Sequence, residues 1–365
     1  MHYNISCMKS KVAVAMSGGV DSSVSAYLLK KQGYDVVGVF MHCWPQTGWP
    51  CMEDRDRADA IKVAEKLEIP FMVWDFEKEY KGRVMDYFYR EYKLGRTPNP
   101  DSYCNREIKF GLFLERALKE LGVDFIATGH YARVEKNGEH YQLLKGVDEK
   151  KDQSYFLYTL GQFELSKTIF SVGELKKPEV RKIAKEIGLS NFDKKGTSGI
   201  CFVGKVNIRD FLKKEIKEKV GNVIDLEGNI VGRHVGVWFY TIGQRSGFNV
   251  DNNALKKFGK PELVGLPLYV VSKNVEKNEI VVGWGEEVER KSFEVSDLSW
   301  VLPNIKINKA GVKIRHQGEI YKCKIFDLEK EKIKVELEES ARGVATGQNA
   351  VFYSDEVCLG GGVIE

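Results

Sequence analysis

An α/β fold with a doubly wound parallel sheet, followed by a β-rich second half, is the architecture that this 365-residue sequence predicts. Short β-branched runs alternate with helical patterns up to about residue 205, as in parallel sheets covered by helices. A glycine-rich loop directly follows the first of these runs, at the place where such sheets present ligands. After about residue 205 the chain changes to short, glycine-punctuated segments with strand character.

The first half supplies the strands and helices of the parallel sheet. Lys11–Met16 and Val36–Met41 are apolar runs, and Ser22–Gln32 between them has a helical pattern that Gly33 ends at the C-cap position. The alternation continues with a helix at Glu53–Leu67, a strand at Phe71–Phe76, helices near Glu79–Leu94 and at Arg106–Leu121, and a strand at Phe125–Thr128.

The second half is predicted to be mostly antiparallel. A hairpin with Asn137-Gly138 at its turn precedes it, between two short apolar runs. From about residue 264 the strands are short and closely spaced, which favours a small barrel or sandwich. Examples are Leu268–Val271, Glu279–Val282, Lys313–Arg315 and Lys332–Leu337.

Composition is that of an ordinary globular protein, with 43% hydrophobic and 30% charged residues. No stretch approaches the roughly 20 apolar residues of a membrane span, and Met1–Ser10 lacks the apolar core of a signal peptide. We therefore expect a cytoplasmic protein without a membrane partner. The net charge of +4 permits a nucleic-acid partner without requiring one. Three lysine pairs could bind phosphate or simply face solvent: Lys176-Lys177, Lys194-Lys195 and Lys213-Lys214.

The strongest local motif joins the first strand to the first helix. Its sequence is Ala15-Met16-Ser17-Gly18-Gly19-Val20-Asp21-Ser22-Ser23. Glycines let the backbone approach a ligand closely, and successive N–H groups at a helix start form an anion site. An ATPase that transfers the γ-phosphate is disfavoured, because the loop lacks the lysine and the spacing of GxxxxGK(S/T). The alternative is an ordinary glycine turn in which Asp21 or Ser22 caps the helix.

This string resembles the signature of the PP-loop ATP pyrophosphatases. Members of that superfamily cleave ATP between the α- and β-phosphates and adenylate a substrate oxygen. They include argininosuccinate synthetase, several amidotransferase synthetases and RNA thiolases, so the loop alone does not choose a substrate.

Seven cysteines lie at positions 7, 43, 51, 104, 201, 323 and 358, and no two form a CxxC pair. In a reducing cytosol we expect free thiols, most of them buried, with Cys43 and Cys51 as structural residues. Cys104 lies in the proline-set loop Arg96–Asn105, close to the start of the predicted helix, where the helix dipole would lower its pKa. Asp101 could act there as a general acid or base.

Both cysteine segments also permit a purely structural interpretation. Asp101 or Asn105 could cap the helix while Cys104 packs in the core. Cys201 lies in the small-residue loop Gly196–Gly204, and it too could be a buried cysteine, beside Ile200 and Phe202.

Taken together, seven strings resemble those of the bacterial-type tRNA 2-thiouridylases, a family within the PP-loop superfamily. In chain order they are AMSGGVDSS (15–23), GRTPNPDSYCN (95–105), ATGHYARV (127–134), KDQSYFLYTL (151–160), GICFVG (199–204), GQRSG (243–247) and VCLGGGVIE (357–365). The resemblance implies three domains: a PP-loop domain of the adenine nucleotide alpha hydrolase type at 1–205, a small tRNA-contacting domain at 206–275 and a C-terminal β-barrel at 276–365.

The resemblance also implies the residues of the site. The loop Ala15–Ser22, with the backbone around Met41 and Gly129, would bind ATP with Mg²⁺. Cys201 would carry a persulfide received from a donor protein that a cysteine desulfurase supplies, and Cys104 would form a disulfide with it at the end of the cycle. Asp101 would move protons. The tRNA, a glutamate, glutamine or lysine acceptor, would contact Asn99, Pro100, Asp101, Lys151, Asp152, Gln153, Arg315 and His316.

Several alternatives stay open. Asp101, Cys104 and Cys201 could instead ligate an iron–sulfur cluster that carries the sulfur. The fold would also suit a ligase that adenylates a small carboxylate, or an RNA-binding module with an inactive loop. His42 and Cys43 depart from the usual family string, and His130 could orient the nucleotide or simply end its strand.

Overall fold

The computed structural model describes residues 9–43, 52–194, 201, 207–303, 305–329 and 331–365. In these residues the strands form three sheets. In chain order the strands are β1 (Lys11–Ala15), β2 (Asp35–His42), β3 (Phe71–Asp75), β4 (Phe125–Ala127), β5 (Ala132–Asn137), β6 (His140–Lys145), β7 (Thr168–Ile169), β8 (Gly221–Ile224), β9 (Ile230–His234), β10 (Asn249–Val250), β11 (Tyr269–Asn274), β12 (Glu279–Gly283), β13 (Glu289–Trp300), β14 (Lys309–Lys313), β15 (Ile320–Asp327), β16 (Ile333–Arg342), β17 (Asn349–Ser354) and β18 (Val357–Ile364).

Two of the longer helical runs contain π-helical parts. The first consists of Glu77–Tyr80, the π-helical Lys81–Met85 and Asp86–Lys93; the second consists of Pro100–Cys104, the π-helical Asn105–Leu112, Phe113–Arg116 and the π-helical Ala117–Leu121. The other α-helices are Val20–Lys31, Met52–Lys66, Gln162–Ser166, Lys177–Glu186, Ile208–Leu212 and Asn252–Lys257. Short 3₁₀ turns occur at Ser154–Leu157, Val237–Phe239, Pro261–Leu263 and Gly285–Val288.

The first sheet is parallel throughout, in the order β3-β2-β1-β4-β7. Side chains alternate along β1, so that Val12 and Val14 pack on one face and Ala13 and Ala15 on the other. Helices cover both faces, which confirms the predicted doubly wound sheet. Its strand order reverses beside β1, and ligands bind such sheets at that point, at the carboxyl ends of the strands.

One helix boundary differs from the prediction. The helix expected to begin at Arg106 begins at Pro100, because Asn99 caps it: the Asn99 side chain accepts a hydrogen bond from the Ser102 N–H at 3.3 Å. Pro100 fits the first turn, where its missing N–H has no intrahelical partner to lose. Cys104 therefore lies a full turn inside the helix. The hairpin turn also differs slightly, since Asn137 pairs with His140.

The central sheet has the order β10-β9-β8-β12-β11 and is mixed, because β12 pairs parallel to β8. It contacts the first domain beside the loop that precedes Asn99: the hydroxyls of Thr97 and Thr241 are 3.2 Å apart. The domain limits at residues 205 and 275 stay predictions. The pairing of β12 with β8 favours an end of the central unit after Gly283.

The C-terminal strands form the barrel that the sequence left as one of two possibilities. Their order is β13-β16-β15-β14-β17-β18, and β18 pairs back to β13, which closes the ring. The hairpin β5–β6 from the first half also adds to β18, through Val357 with Leu144 and Cys358 with Leu143.

The barrel also contacts the loop and helix that carry Cys104. Gln348 donates to the Thr97 carbonyl at 2.8 Å, and Asn349 donates to the Ser102 hydroxyl at 2.7 Å. The two halves of the chain are thus joined directly at this helix.

Barrel closure depends on Gly360. This residue pairs with Trp300 and has φ +132°, and a Cβ there would lie 2.3 Å from the Ser299 carbonyl oxygen. Gly360→Ala is expected to destabilise the protein by about 3 kcal/mol, since backbone strain adds to steric overlap. Urea unfolding measures it. Gly138→Ala is the control: it has φ +62° with open space around it, and about 1 kcal/mol is expected. Equal losses would contradict this account of closure.

Candidate active site

The glycine-rich loop lies at the carboxyl end of β1. Gly19 is the N-cap of the helix Val20–Lys31 and offers no side chain to the first-turn N–H groups, as an anion site requires. The Ser22 and Ser23 hydroxyls both donate to the Gly19 carbonyl, at 3.1 and 2.9 Å. The Ser17 N–H donates to the Ser22 hydroxyl at 3.2 Å. Neither Asp21 nor Ser22 is the N-cap, so no side chain occupies the N–H groups at the helix start. The serine hydrogen bonds hold the loop in its shape.

Gly129 brings the end of β4 against this helix start. A Cβ at Gly129 would lie 2.5 Å from the Ser22 nitrogen and 2.8 Å from the Asp21 carbonyl carbon. A glycine is therefore required for the approach. Met41, near the carboxyl end of β2, is 6% exposed at the same edge of the sheet. The structure thus places the three predicted parts of the nucleotide site, 15–22, Met41 and Gly129, along one edge.

Two lysines that the sequence left as pairs with no assigned role contact this loop. The Lys177 ammonium lies 2.5 Å from the Asp21 carboxylate, which also accepts a hydrogen bond from Tyr131 at 2.7 Å. Lys194 donates to the Gly18 carbonyl at 3.1 Å and pairs with Asp56 and Asp59 at 2.7 and 2.5 Å. The interpretation that these lysines simply face solvent is therefore wrong for Lys177 and Lys194. The sequence signal was indirect: a phosphate loop without its own lysine needs cations from elsewhere in the chain.

Cys104 and Cys201 meet although 97 residues separate them. Their sulfurs lie 3.6 Å apart, and both are free thiols. The Cys201 N–H donates to the Asp101 carboxylate at 2.9 Å, and the Tyr80 hydroxyl donates to the Cys201 carbonyl at 2.5 Å. The structure therefore brings together all three residues predicted as catalytic, and adds Tyr80, which the sequence analysis missed.

The two thiols differ in acidity, in the opposite sense to the sequence expectation. Burial raises the pKa of Cys104 well above its usual value, and its position inside the helix removes the benefit expected from the helix start. The pKa of Cys201 is lowered to about 7, first because Cys104 donates a hydrogen bond to it and then because Lys109 lies close by. Cys201 is thus the thiol that ionises near neutral pH, and Cys104 stays protonated.

Lys109 supplies the positive charge of this site. Burial lowers its pKa, but the neighbouring Cys201, Cys104 and Asp101 outweigh that effect and raise it. Lys109 follows Cys104 by five residues, and a π-helix places residues five apart on one face. The sequence analysis missed Lys109, because in an ordinary helix this spacing would point the two side chains in different directions.

Asp101 and His130 complete the surroundings of the thiols. Burial raises the pKa of the Asp101 carboxyl, although the Cys201 N–H and Lys109 act against it. His130 lies 2.7 Å from the Thr128 hydroxyl and 3.5 Å from the Lys109 ammonium. Burial first, and Lys109 second, hold the pKa of His130 well below its usual value. His130 is therefore a neutral group between Gly129 and Lys109.

Four of the residues predicted to contact tRNA fall into two groups. Asp152 is 3% exposed and accepts from the Gly146 and Ser154 N–H groups, both at 3.1 Å. The Gln153 side chain accepts from the Tyr131 N–H at 3.0 Å. These two side chains support the fold, while Lys151 and Arg315 are exposed cations.

His316 links the surface cations to the thiol site. Its ring lies over Phe156 with centroids 4.3 Å apart, and the Phe156 carbonyl accepts from Asn105, the neighbour of Cys104, at 3.0 Å. Burial and then Lys313 lower the pKa of His316. Asn99 and Pro100 form the start of the same helix. Cys43 is 1% exposed, as expected for a structural residue, while Cys51 lies outside the described residues.

Comparison with known proteins gives matches over the whole length. The chain matches the tRNA methyl transferase HUP domain at residues 10–205, the tRNA methyl transferase PRC-barrel domain at 209–284 and the aminomethyltransferase beta-barrel domain at 290–364. The tRNA-specific 2-thiouridylase MnmA of Idiomarina loihiensis is 45% identical over 362 residues, 97% of this chain and 96% of that protein. The MnmA of Salmonella arizonae is 46% identical over 363 residues, again 97% and 96%.

Two solved structures match part of the chain at lower sequence identity. The U34-tRNA thiolase NcsA from Methanococcus maripaludis, solved with its 4Fe-4S cluster, is 22% identical with a TM-score of 0.35, over 57% of this chain and 67% of that chain. A 4-thiouridine synthetase–RNA complex with bound ATP is 20% identical with a TM-score of 0.34, over 56% and 50%.

A doubly wound sheet that carries a PP-loop motif and a paired-thiol site, followed by two β domains, defines an enzyme of the PP-loop class. Within that class the chain belongs to the tRNA-specific 2-thiouridylase MnmA family, as its full-length relatives show. The resemblance found in the sequence motifs is thereby confirmed. Among the described helices, none is long and apolar enough to span a bilayer.

The acidity difference between the thiols is testable by alkylation. Labelling of Cys201 with iodoacetamide is expected to rise through a midpoint at about pH 7, because the thiolate reacts, while Cys104 stays unlabelled. Lys109→Met removes the positive charge that favours the Cys201 thiolate, so labelling at neutral pH should fall about fivefold. Peptide mass spectrometry measures both. Buried Cys323 serves as the unreactive control, and equal labelling of Cys104 and Cys201 would refute the assignment.

Proposed function

We propose that this protein is an ATP-dependent tRNA-uridine 2-sulfurtransferase, which adenylates the C2 oxygen of a wobble uridine and replaces it with sulfur. The observation that carries this proposal is the contact between Cys104 and Cys201 at 3.6 Å. This contact adjoins the nucleotide loop through Lys109, His130 and Gly129. A ligase that adenylates a small carboxylate has no use for two thiols beside its nucleotide.

ATP binding is assigned to 15–22 with the backbone at Met41 and Gly129. The start of the helix Val20–Lys31 supplies N–H donors for a phosphate, and Lys177 and Lys194 supply the positive charge that the loop itself lacks. The carboxylates of Asp21, Asp56 and Asp59 pair with these two lysines and hold them beside the loop. A bound Mg²⁺ would screen the charge of the triphosphate.

Sulfur transfer is assigned to the thiol pair. The C2 oxygen leaves as part of AMP once it is adenylated, so a sulfur nucleophile can take its place. Cys201 carries that sulfur as a persulfide, whose terminal sulfur bonds to C2. The Cys104 sulfur then bonds to the Cys201 sulfur as the persulfide bond breaks, which leaves the sulfur on the base and a Cys104–Cys201 disulfide. Asp101 takes up or returns the protons, and an external thiol reduces the disulfide.

The arrangement does not fit a 4Fe–4S cluster held by these residues. In such a cluster each thiolate binds a different iron and the bonds point outward, whereas these two sulfurs touch each other at 3.6 Å. The carboxylate oxygen of Asp101 is also occupied by the Cys201 N–H. The persulfide route is therefore the one we propose.

The RNA is assigned to the surface beside the thiol site. Exposed Lys151 and Arg315 would contact phosphates, and Asn99 and Pro100 at the helix start would meet the target base. The uridine must leave its stack to reach a buried thiol, as other base-modifying enzymes require. Glutamate, glutamine and lysine tRNAs are the proposed acceptors, and a protein persulfide supplied by a cysteine desulfurase is the proposed sulfur donor.

The function is tested by mass spectrometry of tRNA nucleosides. A strain that lacks this gene should lose 2-thiouridine derivatives, and the wild-type gene should restore them. Cys104→Ser and Cys201→Ser should restore less than about 1% of the level, because each removes an obligatory sulfur. Cys323→Ser, at a buried cysteine in the barrel, is the matched control and should restore it. Unchanged 2-thiouridine in the deletion strain would sink the proposal.

The lysine assignment is tested by ATP kinetics. Lys177→Ala should raise the KM for ATP by about tenfold or more, because a charge-assisted contact to phosphate is lost. Lys182→Ala is the control, since Lys182 lies on the same helix with a side chain 76% exposed. Release of AMP and pyrophosphate with saturating tRNA provides the assay. The same KM in both variants would remove Lys177 from the site.

A further inference from the structure

Tyr80 is a buried tyrosine whose hydroxyl donates a hydrogen bond to the backbone of Cys201. It is 0% exposed, and its hydroxyl oxygen lies 2.5 Å from the Cys201 carbonyl oxygen. It belongs to the helical run that begins at Glu77, directly after β3, which fixes its backbone independently of the thiols. Its ring packs in the same core cluster as Cys104.

The bond from Tyr80 has a counterpart on the other side of Cys201. There the Cys201 N–H donates to Asp101 at 2.9 Å. Both polar groups of the Cys201 backbone are therefore held, one by each neighbour. With the backbone fixed at two points, the freedom that remains to the sulfur is rotation about the Cα–Cβ bond. A change between staggered rotamers moves a sulfur by about 3 Å.

The proposed reaction needs such a movement. The Cys201 sulfur must present its outer sulfur to the base and afterwards form a bond with Cys104. The present contact of 3.6 Å is suited to the second task. Because the Cys201 backbone is held in place before the reaction, only its side chain has to rotate between the two positions. No further entropy is lost in ordering the backbone at each step.

We propose that Tyr80 is a positioning residue that holds the Cys201 backbone so that its sulfur is aligned with Cys104. This proposal rests on the proposed function only for its consequence in turnover, because the alignment is a property of the free protein. Burial, and then the neighbouring Cys104, raise the pKa of Tyr80 well above its usual value. The hydroxyl accordingly stays a donor over the whole working pH range.

The test is the redox equilibrium of the thiol pair in Tyr80→Phe, measured without ATP or tRNA. In a glutathione buffer, one oxidised glutathione takes two electrons and two protons from the dithiol and gives the Cys104–Cys201 disulfide with two reduced glutathiones. Alkylation and mass spectrometry give the ratio of the two forms. The substitution removes one oxygen and keeps the ring, so the equilibrium constant for disulfide formation should fall about 3- to 10-fold.

A matched control is Tyr240→Phe. Tyr240 is 1% exposed and donates to the Gly247 carbonyl at the same 2.5 Å, in the central domain. Its loss should leave the redox equilibrium unchanged. In a tRNA thiolation assay, Tyr80→Phe should lower kcat and leave the KM values for ATP and tRNA as they are.

Three results would overturn the proposal. The first is an unchanged redox equilibrium in Tyr80→Phe, and the second is an equal shift in Tyr240→Phe. The third is loss of ATP binding in Tyr80→Phe, which would indicate a general structural role. Failure of the proposed function gives a different pattern, since the redox shift would then appear in a protein that does not thiolate tRNA.

Discussion

The approach of Gly129 to the start of the helix Val20–Lys31 is the steric constraint on which the site depends. Because no side chain separates the end of β4 from the Ser22 nitrogen, the next residue, His130, lies close to the loop and also within 3.5 Å of Lys109. Lys109 in turn lies beside Cys201. The absence of a side chain at Gly129 thus sets the spacing between the glycine-rich loop and the two thiols.

Around the thiols, charge and burial act in opposite directions on neighbouring groups. Cys104 lies wholly inside the protein and keeps its proton, and its S–H bond points to Cys201. Cys201 gains acidity from that hydrogen bond and from Lys109. Two chemically identical side chains thereby differ in protonation: Cys104 donates the hydrogen bond, and Cys201 accepts it.

The sequence was sufficient for the parallel sheet and the loop, because strand alternation and a dense motif are local signals. The pairing of Cys104 with Cys201 was expected only from the family resemblance, since 97 residues separate the two. The sequence was insufficient where long-range packing decides. Lys109 lies near Cys104 because the helix there is a π-helix, which the sequence does not reveal. Tyr80 contacts Cys201 because of how its helix packs, and that packing has no local sequence signal. Asp152 shows the reverse: a motif residue that resembled an RNA contact serves to hold a turn.

The contacts of the barrel with the helix that carries Cys104 form late in the synthesis of the chain. Strand β18 pairs with the hairpin β5–β6, and Asn349 reaches Ser102. A ribosome adds about 5–20 residues per second, so the strand that completes these contacts emerges on the order of ten seconds or more after Cys104. During that interval the helix that carries Cys104 lacks its contact with Asn349 of the barrel.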